Sequence, residues 1–315
     1  MLTDFGTSKP DPMLLATALG LSARRIGFIV AYRSGLIAPP IFVQKLNTLS
    51  ALLGGRLSLN VVAGHSPQEQ RSCGDFLPHD ERYARTGEFL AICNAFWHGQ
   101  GPVNYEGKYY RLENGQINTP YVCTNNRRAP VLFVAGGSPP AKELAISQGD
   151  CWMRLPDTPE RIHAEGRAVL EAGKELGLRL AVIVRPTREE ALSAARALVE
   201  AASGTEKTLE SRFVQKSDSV SIQAVFAMAH QEWVTSCLWT GAVRSHGAAA
   251  IALVGTPEEV ASALFEYTQA GVSQFIISGW PKAEEMVRFG REVLPRLRKM
   301  EAGTKGSHHA SSTRA

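Results

Sequence analysis

The chain reads as an α/β protein arranged as a (β/α)8 barrel, and three observations predict this. Short, strongly apolar strands alternate with helical stretches along the whole chain, which is the pattern of parallel βαβ units. About seven such strands occur, spaced as a barrel requires. A doubly wound open sheet is the competing arrangement, but no GxGxxG motif opens the chain and its halves do not mirror each other.

At 315 residues the chain suffices for one large domain or two ordinary ones. Its 44% hydrophobic and 20% charged content is that of a globular protein rather than a disordered one. A net charge of +4, with no basic stripe interleaved with aromatics, argues against a nucleic-acid partner. No apolar run is long enough for a membrane span. Cys73, Cys93, Cys123, Cys151 and Cys237 show no CxxC or Cys/His ligand spacing, so reduced, buried thiols in a cytoplasmic protein without a metal are expected.

The elements follow in order. Met1 to Gly6 suits a short strand, and a loop then leads to the apolar helix MLLATALG. RIGFIVAY (25–32) is a buried strand. Pro39-Pro40 opens an amphipathic helix that closes at Gly54-Gly55. The strand RLSLNVVA (56–63) follows, its apolar run interrupted by Asn60. A polar loop leads to His79, at the head of a helix running to about His98. Residues 104–118 form a β-hairpin around Glu106-Gly107.

Val131 to Val134 is a strand buried on both faces. Gly136 and Gly137 let the backbone turn tightly, Ser138 stands at a helix N-cap, and AKELAISQG continues as helix to Gly149. Free N–H groups and the positive end of a helix dipole at such a turn suit a phosphate. Taken alone, these residues favour an ordinary βα turn over a phosphate site.

A short strand (150–154), a helix (159–177), the strand RLAVIVR (179–185) and a helix (188–202) follow. Residues 206–247 break the rhythm; they hold Trp233 and Trp239 but no clear strand, and read as a helical insertion suited to a lid. Pro257 then opens a helix to Gly271, QFIIS (274–278) is a strand, and a last helix runs to Arg298. A single domain over 1–300 is expected, with a small, polar and disordered tail at 301–315.

Seven blocks in order, GGRLSLNVVAG, HDERYARTGEFL, VNYEGKYYRL, PVLFVAGGSPPAKELA, LRLAVIVRPTREEA, ALVGTPEEV and FIISGWPKAEE, resemble the bacterial luciferase-like flavin monooxygenases. Among these, the alkanesulfonate monooxygenase branch is the most similar. The resemblance runs from about Leu2 to Leu297 and implies a TIM-type barrel with a late helical insertion. It also implies an FMN-dependent oxidoreductase using reduced FMN and O2 on a small organic, anionic substrate. The reduced flavin would come from a separate NAD(P)H:flavin reductase, and assembly as dimers or tetramers is implied. A non-catalytic flavin-binding partner subunit and a deazaflavin-dependent hydride-transfer enzyme are the alternatives.

By this resemblance Asn60 contacts the polar edge of the flavin ring, and Ala63 stands where the family commonly has Thr. Tyr83, preceded by His79, lies near the flavin and its phosphate tail, and Gly136, Gly137 and Ser138 form the phosphate loop. On the substrate side, Lys9 replaces a cysteine of the branch and Arg179 is kept. Ala181 replaces a histidine, His246 stands for an arginine, and Trp280 replaces a tyrosine. Arg179 could clamp an anion through its charged, bidentate fork or form a buried salt bridge. Family members also carry a strand and helix before the point that matches Met1. The barrel is therefore expected to lack its first βα unit and to show a gap or distortion beside 274–278.

Overall fold

The computed structural model describes residues 10–124, 126–202 and 216–311, the last of these with side chains as far as residue 303. The strand expected at 1–6, the candidate Lys9 and the first part of the insertion, 203–215, lie outside the described residues. The chain divides into two compact units. One comprises the residues up to Met153 with Asp218–Val220, and the other comprises the rest.

In the first unit, helix α1 (Pro12–Ser22) precedes strand β1 (Phe28–Arg33), and α2 (Pro39–Leu52) leads to β2 (Leu57–Val62). β1 and β2 are parallel, with Ala31 opposite Asn60. The expected polar loop after β2 contains a short helix, α3 (Pro67–Ser72). Ser66 accepts from the Glu69 N–H and Pro67 sits where its missing N–H costs nothing, which is why a helix starts there. α4 (His79–His98) buries Tyr83, Thr86, Leu90, Cys93 and Trp97, one stripe at helical spacing. The hairpin β3 (Val103–Glu106) and β4 (Arg111–Gly115) is antiparallel.

β5 (Val131–Ala135) is parallel to β2, with Asn60 opposite Phe133. α5 (Pro139–Gln148) returns the chain to β6 (Cys151–Arg154), parallel to β5. The parallel order is thus β1-β2-β5-β6. The aromatic series Tyr32–Phe42–Phe89, with centroids 4.8 and 5.0 Å apart, ties β1, α2 and α4 into one core.

In the second unit, α6 (Pro159–Glu171) stops short of the expected Gly177 because Gly173 turns the chain with φ +71°. β7 (Glu175–Val184) and α7 (Arg188–Glu200) follow, the latter started by a Thr187–Glu190 capping box. The described part of the insertion holds α8 (Val220–Met228), the short strand β8 (Leu238–Trp239) and the single turn α9 (Val243–His246). β9 (Ala252–Gly255), α10 (Pro257–Gln269), β10 (Val272–Gly279) and α11 (Lys282–Arg288) come next. A five-residue π-helical segment then joins α11 to α12 (Leu294–Ser311). Helical backbone therefore continues past Glu301, since extending a formed helix costs far less than starting one.

Two strands, β8 and β9, appear where the sequence suggested none; at two and four residues they are too short for a periodicity to show. They also alter the order of the strands. β7 is parallel to β9 on one side and to β10 on the other, whereas a regular barrel places strands beside one another in chain order. β8, antiparallel to β9, occupies an edge of β9, and β10 pairs with β7 instead.

Candidate functional site

The turn from β5 into α5 is the focus of the first unit. Gly136 has φ +141°, and a Cβ there would stand 2.3 Å from the Tyr83 hydroxyl and 2.8 Å from the Ala141 Cβ, so the turn requires glycine. Its N–H donates to the Met153 carbonyl at 3.2 Å, and its carbonyl accepts from the Trp152 indole at 2.7 Å. Ser138 is the N-cap of α5, yet its side chain caps nothing. Its Oγ is buried, at 3% residue exposure, and has no hydrogen-bond partner among the described residues. Pro139 and Pro140 bring no N–H to the first turn, which leaves the donors of Gly137, Ser138 and Ala141. Lys142 adds a cation one residue further on, 5.9 Å from the Trp152 ring.

Tyr83 approaches this turn from α4 and donates to the Ala135 carbonyl at 3.2 Å. Burial pushes its phenol up to about 12, while the adjacent Ser138 hydroxyl pulls the other way. The His79 ring lies 5.0 Å from that of Tyr83, one helical turn away, with Nδ1 2.6 Å from Asp80 Oδ1. Asn60 is buried on β2 level with Phe133, two residues below the end of β5. Tyr83, Gly136, Gly137 and Ser138 are therefore gathered at the C-terminal ends of these parallel strands, with Asn60 a little deeper.

Ala63 contributes backbone: its carbonyl accepts from Arg82 Nε at 3.1 Å and Gln70 Nε2 at 3.2 Å. Arg82 is the residue the sequence reading passed over. At 1% exposure it also bonds the Leu77 carbonyl at 2.9 Å and pairs with Asp218 at 2.6 Å, which joins the β2 loop, α4 and the late segment. Beside it, Arg33 donates to Gln70 at 2.5 Å, Gln70 donates to Asp75 at 2.9 Å, and Asp75 pairs with Arg85 at 2.6 Å. Buried guanidinium groups persist only when their forks are satisfied in this way. An arginine between two apolar-facing positions of a helix was the available signal for Arg82.

In the second unit Arg179 lies on β7, level with Ile276. Burial lowers its pKa with no charge to offset it, and its guanidinium has no ion pair or side-chain hydrogen bond among the described residues. The buried salt bridge weighed for it is absent there. Ala181, next on the same face, is packed in an apolar cluster with Ala191, Trp239 and Ala252, and Trp280 lies against that cluster. Trp280 follows the end of β10, and its ring meets His246 edge-on at 5.9 Å and 65°. The His246 Nδ1 lies 2.9 Å from Ser245 Oγ, and desolvation lowers its pKa. The structure thus brings His246 and Trp280 together. Arg179 sits four residues below Trp280 in register, ~13 Å along the strand.

Among the described residues no group of His, Cys, Asp and Glu could hold a metal, and no helix is long and apolar enough to cross a membrane.

Parallel strands with helices between them, and a glycine–serine turn at the strand ends, define an α/β protein of the TIM-barrel kind. The chain belongs to the luciferase-like monooxygenase family, whose sequence pattern matches residues 2–274. Its fold is that of the luciferase-like TIM barrels, and solved structures share it. Riboflavin lyase, solved with a modified FMN and riboflavin as substrate, is 23% identical, with a TM-score of 0.76 over 93% of this chain and 74% of its own. The EDTA monooxygenase of Chelativorans sp. BNC1 is 23% identical, with a TM-score of 0.71 over 92% and 77%. An F420-dependent secondary alcohol dehydrogenase is 19% identical, with a TM-score of 0.65 over 90% and 83%. At these identities the likeness is one of fold.

Proposed function

We propose that this protein is a reduced-FMN- and O2-dependent monooxygenase acting on a small organic anion, with a separate NAD(P)H:flavin reductase supplying the flavin. The observation that carries this reading is the turn after β5. A buried serine hydroxyl without a hydrogen-bond partner among the described residues, in a tight glycine turn at a helix start, suits a phosphate. There the Ser138 hydroxyl, with the N–H groups of Gly137, Ser138 and Ala141, holds the FMN phosphate by charge-assisted hydrogen bonds. Asn60 takes the polar edge of the ring. When bound, the reduced flavin supplies the electrons with which O2 is activated, the hard part of the chemistry.

The chain's residues bind, orient and shield. Arg179, a half-buried cation without a counter-charge among the described residues, is suited to an anionic group on the substrate. The cluster around Ala181, Trp239 and Trp280 keeps its surroundings dry. His246, whose pKa desolvation lowers, is suited to accept or return a proton at Nε2.

The apolar packing of Ala181, where the branch carries a histidine, favours a second reading of a flavin-binding relative without oxygenation. Flavin titrations test both. FMN and anaerobically reduced FMN are expected to bind, and riboflavin, lacking the phosphate, more weakly. Binding of coenzyme F420 in preference to FMN would support hydride transfer instead. FMN binding without substrate-stimulated oxygen uptake, across a panel of alkanesulfonates and carboxylates, supports the second reading. No flavin binding at all sinks both.

A further inference from the structure

Glu285, on α11, has 0% exposure, and its carboxylate is held at both oxygens. Oε1 accepts from the Val184 N–H at 2.6 Å, and Oε2 accepts from Arg185 Nη1 at 2.8 Å and from Arg288 Nη1 at 3.4 Å. The same two guanidinium groups donate to the Val184 carbonyl at 2.6 and 2.9 Å. Val184, the last residue of β7, is therefore gripped at its N–H by the carboxylate and at its C=O by the carboxylate's partners.

This grip stands where β10 leaves the sheet. The pairing of β10 with β7 ends at Gly279 opposite Val182. One step further a parallel ladder would supply a backbone acceptor to Val184, but the chain has turned away through Trp280 and Pro281. The Glu285 side chain supplies the acceptor instead. It reaches it by lying directly on Gly279, where a Cβ would stand 2.3 Å from Glu285 Cγ and 2.7 Å from the Val182 carbonyl. The Glu285 N–H donates to the Pro281 carbonyl at 2.9 Å. Trp280 thus sits in a short bridge clasped by Glu285, and its ring is aimed at His246.

We propose that Glu285 is a positioning residue, which continues the β7 ladder past the end of β10 and so fixes the ring of Trp280 against His246. Its bearing on function rests on the reading of His246 and Trp280 as substrate-side groups; its structural content does not. Two variants separate a ladder role from mere neutralisation of the two arginines. Glu285→Gln keeps an oxygen for the Val184 N–H and loses the charge. Glu285→Asp keeps the charge and loses the reach.

The readout is acrylamide quenching of the Trp280 emission, isolated as the difference between each chain and its Trp280→Phe counterpart. Glu285→Asp is expected to expose Trp280, with a red-shifted emission and a raised quenching constant, and Glu285→Gln to leave both near the parent's. Exposure in the Gln variant with the Asp variant unchanged, or no change in either, overturns the proposal. Amide exchange in the unaltered protein is a second measurement that needs no variant. The Val184 N–H is expected to be protected like a mid-strand amide although β10 ends before it, and rapid exchange there overturns the proposal as well. FMN titration of the same chains is a separate readout. Loss of flavin binding in the parent removes the functional reading and leaves the quenching result standing.

Discussion

The Tyr83 hydroxyl donates to the Ala135 carbonyl at 3.2 Å, across a space that any side chain at position 136 would fill. The long helix α4 is thereby fastened to the end of β5, and the glycine turn is held open beneath it. A tyrosine in the DERY block and a glycine some fifty residues later are one device.

Gly136→Ala is expected to disturb that device twice, through its φ of +141° and through the contact with Tyr83. A destabilisation of about 1–3 kcal/mol follows from the backbone strain. FMN affinity should fall with it. Adding Tyr83→Phe removes the hydroxyl and should recover part of the lost stability in urea unfolding. No recovery would place the cost in the backbone alone.

Ser138→Ala separates binding from folding, because the hydroxyl caps no helix and meets no hydrogen-bond geometry among the described residues. Thermal stability is expected to stay the same or rise slightly. FMN affinity should drop by about 1–3 kcal/mol, the worth of a hydrogen bond to a charged group. Riboflavin affinity should not change. An equal loss for riboflavin would show that Ser138 does not touch the phosphate.

Arg179→Ala should stabilise the free protein or leave it unchanged, since a desolvated cation with no described counter-charge is removed. In the parent, a short alkanesulfonate should raise Tm, and in the variant this effect should vanish. Once a substrate is known, a loss of roughly 1.5–3 kcal/mol in kcat/KM is expected. Destabilisation of the free chain would reveal an ion pair instead.

Arg82→Ala leaves the carbonyls of Ala63 and Leu77 without their donor and the partly exposed Asp218 without its cation, and a cost of about 1–3 kcal/mol is expected. Denaturant unfolding of the single variants, Asp218→Asn and the double variant measures the coupling directly. Additive losses would show that the pair is incidental.

Acid should unfold the protein through His65 and His246, whose folded pKa values burial holds below the ordinary value. The unfolded chain then binds these protons more tightly. Their contribution is fully present above about pH 6.5 and is lost as the pH falls through the folded values. His65→Gln should flatten the stability profile below that pH; an unchanged slope would remove His65 from the account.

The strands at 28–33, 57–62 and 131–135, the hairpin and α4 were legible because each carries its own local signal of apolar runs, turn residues and caps. The glycine–serine turn was legible for the same reason. β8 and β9 were not, since two and four residues hold no periodicity. Nor was the place of β10 beside β7, which depends on which edge the inserted β8 already occupies. Arg82 and Glu285 look like surface charges in the sequence. Only folding shows that one closes the loop after β2 and the other ends the β7 ladder, because their partners lie far away along the chain.

The sequence by itself determined the α/β class, the family and the glycine–serine turn after β5, all of which are carried by local sequence signals. The tertiary structure alone decided the strand order of the second unit, the meeting of His246 with Trp280 and the solitary state of Arg179 among the described residues. These follow from long-range pairing, where burial and available partners, rather than local propensity, set the free energy.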